Sequence, residues 1–389
     1  MGMLPWAIPN MPKEEGERRH RAIREAMEFR GIDCLVIAGH VGNYGGRRSN
    51  FRYVTNYAMW FDDEYIVFPL EKEPFLIAFN TAHYVWAQRI CWIEVRVRGV
   101  SGVRNYVADI VNGIREAGNE KGTIGLVDME TMPAYIYVGL LKNLPNATFV
   151  SAGDLINQIR MIKSPVELEF MRKSALCADK GFEAIKATAR PGVHDRVVWS
   201  AMDSAMTIAG AEPPTFTLYC SGPYEEKGIN YPYGPMDRVL KKGDMVLSEI
   251  GPSYGGYWTQ LVRPLSLGKP GDKFKKAMEI QTEMYNVAVE MMRPGTVLAD
   301  IDAKIRAMAK KAGHHPLNAF TMQHTGLDNL DRIPKRTVLR PGMTFVNHPW
   351  TEFPPDKPTF GGHTCGDTYI VTEGKPECLS KLPFEISIV

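Results

Sequence analysis

The sequence lacks what marks a disulfide-framed, membrane-spanning or nucleic-acid-binding chain. It has 6 cysteines in 389 residues, Cys34, Cys91, Cys177, Cys220, Cys365 and Cys378, and no CxxC pair. So few, so scattered, argue against a disulfide framework and for reduced thiols in the cytosol. There is no surplus of one charge: 46 Lys and Arg stand against 44 Asp and Glu, a formal +2. No strong field favours nucleic acid or an anionic membrane as a partner. No uncharged run reaches the roughly 18 residues of a membrane span. The first residues, MGMLPWAIPNMPKEEGERR, have no basic stretch followed by an apolar one, so no signal peptide is expected. Trp6 stands where myristoylation needs Ser or Thr. A cytoplasmic protein is the expectation.

What the chain does have is length and alternation. A chain of 389 residues suggests two domains. Residues 1–15, with Pro5, Pro9 and Pro12, read as an extended arm. Helical spacing predicts a helix over 18–29, stopped by Gly31. Apolar runs predict strands at 34–38, 64–68, 75–79 and 125–128, and helices near 82–90, 104–117 and 133–143. Such alternation argues for an α/β domain over 1–155. Ser164, Pro165 and Glu167 form a capping box with proline at the first helical position, which opens a helix at the head of a second domain, 156–389. Helices are expected at 196–210, 272–292 and 298–312, and strands at 339–346 and 367–373. Leu218 to Tyr233, with Gly222, Pro223, Gly228 and Pro232, reads as loop.

The stretch from Leu240 to Gly268, LKKGDMVLSEIGPSYGGYWTQLVRPLSLG, reads as a β-hairpin punctuated by Gly251, Pro252, Gly255 and Gly256. Glu249 and Gln260 can face one cavity from its two strands. The stretch resembles the K-G-D-x-V-x-x-D-x-G-x-x-x-x-G-Y-x-x-D-x-x-R segment of the creatinase, methionine aminopeptidase and Xaa-Pro peptidase clan. Lys242, Gly243, Asp244, Val246, Gly251, Gly256, Tyr257 and Arg263 match; Glu249 and Gln260 replace the two aspartates. Arg160, Lys163, Ser164, Glu167 and Leu168 match the clan's R-x-x-K-S-x-x-E-I segment between domains. Pro191-Gly192 and Pro294-Gly295 repeat about 100 residues apart, as a catalytic domain of two related halves would. The resemblance implies an N-terminal creatinase-like domain, a C-terminal pita-bread domain and a homodimer.

Clan members with two metal ions hold them by two aspartates, a histidine and two glutamates. By resemblance those positions are here Glu249, Gln260, Gln323 (or His324 with a one-residue shift), His348 and Gly366, with Asp367 beside the last. Four carboxylates become one. Two divalent cations would bring about +4 to roughly −1, an uncompensated burial of many kcal/mol. No dinuclear metal site is expected.

Three readings stay open. In the first, resembling creatinase, no metal is used and a small-molecule C–N bond is hydrolysed by His324 or His348 as base with Glu249 as proton donor or cation binder. Creatinase's own base lies in an A-H-N-P-like loop; the counterpart, Gly228 to Tyr233, has no histidine. In the second, Glu249, His324 and His348 hold one Zn, Fe or Mn, for a hydrolase or lyase, with His363 and Asp367 as possible additions. In the third, the chain is a non-catalytic binder of a small ligand or a protein. Each histidine could instead make an ordinary structural hydrogen bond. Gln260, Tyr231, Tyr233, Trp258, Asp367 and His363 are candidate contacts to a small-molecule substrate. Tyr219, Tyr224, Tyr257 and Trp350 join the aromatic residues that could line its pocket. Arg52 and Tyr53 lie in a segment that reaches the partner's site in creatinase-like dimers, or else form a strand at the domain edge.

Overall fold

The computed structural model describes residues 11–39, 49–58, 63–97, 106–213, 215–224, 234–314, 322–330, 333–353 and 360–389. The chain divides between Met161 and Ile162 into two compact units.

In the first unit, helix α1 (Lys13–Arg30) buries Ile23 and Met27 and ends at Gly31, whose φ of 62° is the left-handed cap that glycine adopts at low cost. Strand β1 (Cys34–Gly39) follows. Helix α2 (Ser49–Thr55) holds the segment that Phe51, Tyr53, Val54 and Thr55 make strand-like in isolation. Burial of all seven of its residues favours the helix over their β propensity. Then come β2 (Glu64–Pro69), β3 (Phe75–Ala78), α3 (Thr81–Ile90), β4 (Glu94–Val97), α4 (Tyr106–Ala117), β5 (Thr123–Val127), α5 (Ala134–Asn143), β6 (Thr148–Ser151) and α6 (Gly153–Arg160). The sheet order is β4-β3-β2-β1-β5-β6. Central β1, CLVIAG, is buried along its whole length, which is why it reads as an unbroken apolar run.

In the second unit, α7 (Pro165–Thr188) starts with the expected capping box: the Ser164 side chain accepts from Glu167 N, and Ser164 N donates to the Glu167 carboxylate. Helix α8 (Asp195–Ile208) packs on α7. Strand β7 (Phe216–Gly222) replaces the loop expected from 218. Gly222 and Pro223 mark only its end, and Leu218, Tyr219 and Cys220 belong to its pairing with β8 (Met245–Gly251). The hairpin connection makes a small ladder of its own, β9 (Ser253–Tyr254) with β10 (Tyr257–Trp258), before β11 (Leu261–Ser266). Helices α9 (Asp272–Met291) and α10 (Leu298–Lys311) follow, then β12 (Met322–His324), β13 (Thr344–Asn347), β14 (Trp350–Phe353), β15 (Phe360–His363), β16 (Asp367–Ile370), β17 (Glu377–Cys378) and β18 (Ser387–Ile388). Two four-stranded sheets result, β18-β11-β8-β7 and β12-β13-β16-β17. Helices α7 and α8 cover the first through Phe182, Ile185, Val198, Met202 and Met206. Among the described residues, no helix is long and apolar enough to cross a membrane.

Candidate active site

The two sheets meet at an isolated bridge between Val262 and Gly366. Val262 N donates to Gly366 O at 2.9 Å, and Gly366 N returns a bond to Val262 O at 3.2 Å. Glu249 on β8 lies opposite Val262 on β11. Asn347 on β13 lies opposite Asp367 on β16, which sets His348 opposite Gly366. Side chains alternate along a strand, so Glu249, Val262, the Gly366 position and His348 share one face in a single row. A second row runs beside it. The Thr368 hydroxyl accepts from Gln260 N at 2.9 Å and donates to Gln260 O at 3.0 Å. Thr368 lies opposite Val346, and Val346 opposite Gln323. Glu249, Gln260, Gln323 and His348 therefore converge on the same face, and all are buried.

His324 does not join them. It lies opposite Phe345 on the other face of β12, its ring edge-on to Phe345 at 5.4 Å. Lys163 Nζ donates to its Nε2 at 2.8 Å, and both residues are buried. The alternation of the strand thus gives Gln323, not His324, the place beside His348. Asp367 is also on the far face. Its carboxylate receives Arg263 Nη2 at 2.7 Å and Tyr285 Oη at 2.6 Å. Burial pushes its carboxyl up, against the pull of Arg263.

Burial governs the two titratable groups of the near face. It pushes the Glu249 carboxyl up to about 8 and the His348 imidazole down to about 4. Both are then neutral near pH 7, one carrying a proton to give, the other able to take one.

The remaining expected contacts are spread out. Trp258 is buried and donates its backbone N–H to Gly326 O at 2.7 Å. Tyr257 Oη donates to Glu167 at 2.7 Å and Tyr219 Oη to Asp195 at 2.7 Å, so both rings serve the core. Tyr224 packs edge-on to Phe274. Tyr53 is fully buried in the first unit, with the Arg19 guanidinium 4.2 Å over its ring, and Arg52 beside it is buried too. Tyr231 and Tyr233 lie outside the described residues, and of His363 only the backbone is described, opposite Trp350. Sequence reasoning missed Asn329. It accepts from the amide of Gln260 at 2.8 Å and, through its backbone carbonyl, from that of Gln323. It also missed Lys163 as the partner of His324, although the lysine stood in a quoted motif.

Comparison with known proteins agrees with this architecture. The model of "Metallopeptidase family M24" matches residues 169–373, and that of the "Creatinase/Prolidase N-terminal domain" matches 19–162. The chain belongs to metallopeptidase family M24. The family's fold is present in full, an N-terminal creatinase-like domain and a C-terminal pita-bread domain. The chain is 26% identical over 397 residues to the creatinase of Bacillus sp. (strain B-0618), covering 97% of this chain and 93% of the relative. It is 26% identical over 428 residues to the ectoine hydrolase of Halomonas elongata, covering 99% and 100%. The crystal structure of a recombinant prolidase from Thermococcus sibiricus superposes with a TM-score of 0.81 at 22% identity, covering 97% of this chain and 100% of that one.

Proposed function

We propose that this M24 chain is a hydrolase that cleaves a C–N bond in a small molecule by acid–base chemistry of His348 and Glu249, without a metal ion. The observation that carries the reading is the composition of the face that joins the two sheets: one carboxyl group, Glu249, with Gln260, Gln323, His348 and a glycine at 366. The named relatives support it, since both the creatinase and the ectoine hydrolase match nearly end to end.

The family's description implies metal, and the donors present do not suit it. Two divalent ions need several carboxylates, and this face offers one. Gln260 and Gln323 are neutral amides and bring no negative charge to balance a cation. The single-metal set Glu249, His324 and His348 is divided between two faces, with Lys163 on His324. Among the described residues, no three His, Cys, Asp or Glu side chains converge as a metal requires.

In the reaction we infer, His348 takes a proton from water through a ring nitrogen. The hydroxide oxygen bonds to the carbon, and the C–N bond breaks as Glu249 gives its proton to the departing nitrogen. His348 returns to neutrality by passing its proton to the glutamate. Asp367 and Arg263 stand behind the site and fix β16 against β11. We place the working form as a homodimer on the resemblance alone, and in the cytosol on its scattered cysteines; sedimentation measures the assembly. Small amides, guanidines and betaines form the first substrate screen. His348→Asn should lower turnover by roughly 10²- to 10⁴-fold with the fold intact. Unchanged turnover would end the proposal. The family name keeps a peptide as the rival substrate, and cleavage of an Xaa-Pro dipeptide faster than any small amide would favour it.

A further inference from the structure

Asn329 is 4% exposed and belongs to no strand. The segment 325–330 is pinned to β10 by one main-chain bond, Trp258 N to Gly326 O at 2.7 Å, and one side-chain bond, the Thr325 hydroxyl to Trp258 O at 3.1 Å. Pinned there, Asn329 meets both glutamines of the shared face. Its Oδ1 accepts from Gln260 Nε2 at 2.8 Å, and its backbone carbonyl accepts from Gln323 Nε2.

A primary amide has an oxygen and a nitrogen at opposite ends of its fork. With both nitrogens drawn to Asn329, both oxygens turn away from it. The Gln260 Oε1 so presented is buried and has no hydrogen-bond partner among the described residues. Proteins seldom leave a buried acceptor without a donor, and where they do, a ligand that brings the donor is a physical explanation. A free glutamine could offer either end to a ligand; a held one offers a single polarity.

We propose that Asn329 is the positioning residue that sets the ligand class of this face. It holds the Gln260 and Gln323 amides so that the face presents oxygen, and the ligand must supply the N–H groups. The class is a small planar group with two or more N–H bonds, such as an amidinium or primary amide, rather than a carboxylate or phosphate. The proposal rests on the reading of this face as the substrate site.

The test uses two probes of one shape, acetamidinium and acetate, the first with donors only and the second with acceptors only. Their affinities for the full chain are titrated by ligand-observed NMR in the wild type, Asn329→Leu and Asn329→Asp. The wild type should prefer acetamidinium. Leucine removes the acceptor that holds Gln260, and the preference should fall about tenfold. Aspartate keeps an acceptor in place and adds a charge that favours the cation, so the preference should be no lower than in the wild type. A wild-type preference for acetate, or an unchanged ratio in the leucine variant, overturns the proposal. A second measurement needs no Asn329 variant. The side-chain NH₂ signals of Gln260 and Gln323, assigned through Gln260→Glu and Gln323→Glu, should be protected from solvent exchange in the wild type, and rapid exchange of both overturns it. Neither readout involves turnover, so the outcome is independent of the chemistry assigned to His348 and Glu249.

Discussion

Gly366 and His348 face each other so closely that a Cβ on Gly366 would stand 2.6 Å from the Cβ of His348. It would also lie 3.1 Å from Val262 Cγ2 and 3.2 Å from Asn347 O. The two positions are therefore one packing unit. Gly366→Ala should cost about 2–3 kcal/mol in a denaturant melt, because backbone must move to admit the methyl. Adding His348→Gly should recover part of that loss, and a double-mutant cycle reads the coupling. Full additivity would mean that the two side chains do not share the space.

The site's pH dependence follows from two buried groups. In the proposed reaction His348 must be unprotonated, so activity should be lost as pH falls through about 4. Glu249 must be protonated, so activity should be lost as pH rises through about 8. A pH profile of kcat/KM should show a plateau between these limits. A single rise through pH 6.5 would point to an ordinary solvated histidine instead.

Arg263 and Asp367 form an ion pair with side chains 2% and 1% exposed. Their strands carry the Val262–Gly366 junction. Arg263→Met would leave a buried carboxyl without its cation, a cost of about 3–5 kcal/mol. Urea titration checks it, and a loss below about 1 kcal/mol would show the pair to be dispensable.

In the first unit, Asp128 has a φ of 57° and accepts from Asn50 Nδ2 at 2.9 Å. Burial pushes its carboxyl up to about 6, against the opposing pull of Arg160 and Asn50. A raised carboxyl contributes stability at pH values below its unfolded pKa, and that stability is lost as pH rises through about 6. Asn tolerates the left-handed backbone and keeps an acceptor for Asn50. Asp128→Asn should then stabilise the fold by about 1–3 kcal/mol at pH 8 and leave it unchanged at pH 4. Thermal melts at the two pH values measure the difference.

Much of the fold could be read along the chain, since amphipathic helices and a buried β1 follow from periodicity, and Ser164, Pro165 and Glu167 announce α7. Local patterns misled where tertiary burial overrode them, as in helical α2, or where glycine and proline only ended a strand, as at Gly222 and Pro223 in β7. The candidate face was half legible. Glu249, Gln260 and His348 stood out by resemblance. His324 was favoured over Gln323 by its chemistry, whereas the register that separates them comes from the pairing of β12 with β13. Asn329 carried no signal, because its role exists only once Trp258 pins the segment that holds it.

The central claim is that the face shared by Glu249, Gln260, Gln323 and His348 works without a metal ion. Elemental analysis of the purified, chelator-treated protein by plasma mass spectrometry, with turnover measured on the same sample, tests it most directly. The account predicts below about a tenth of an equivalent of any transition metal and full retention of turnover. One or two equivalents of zinc, iron or manganese, with turnover that disappears on their removal and returns on their addition, would contradict it.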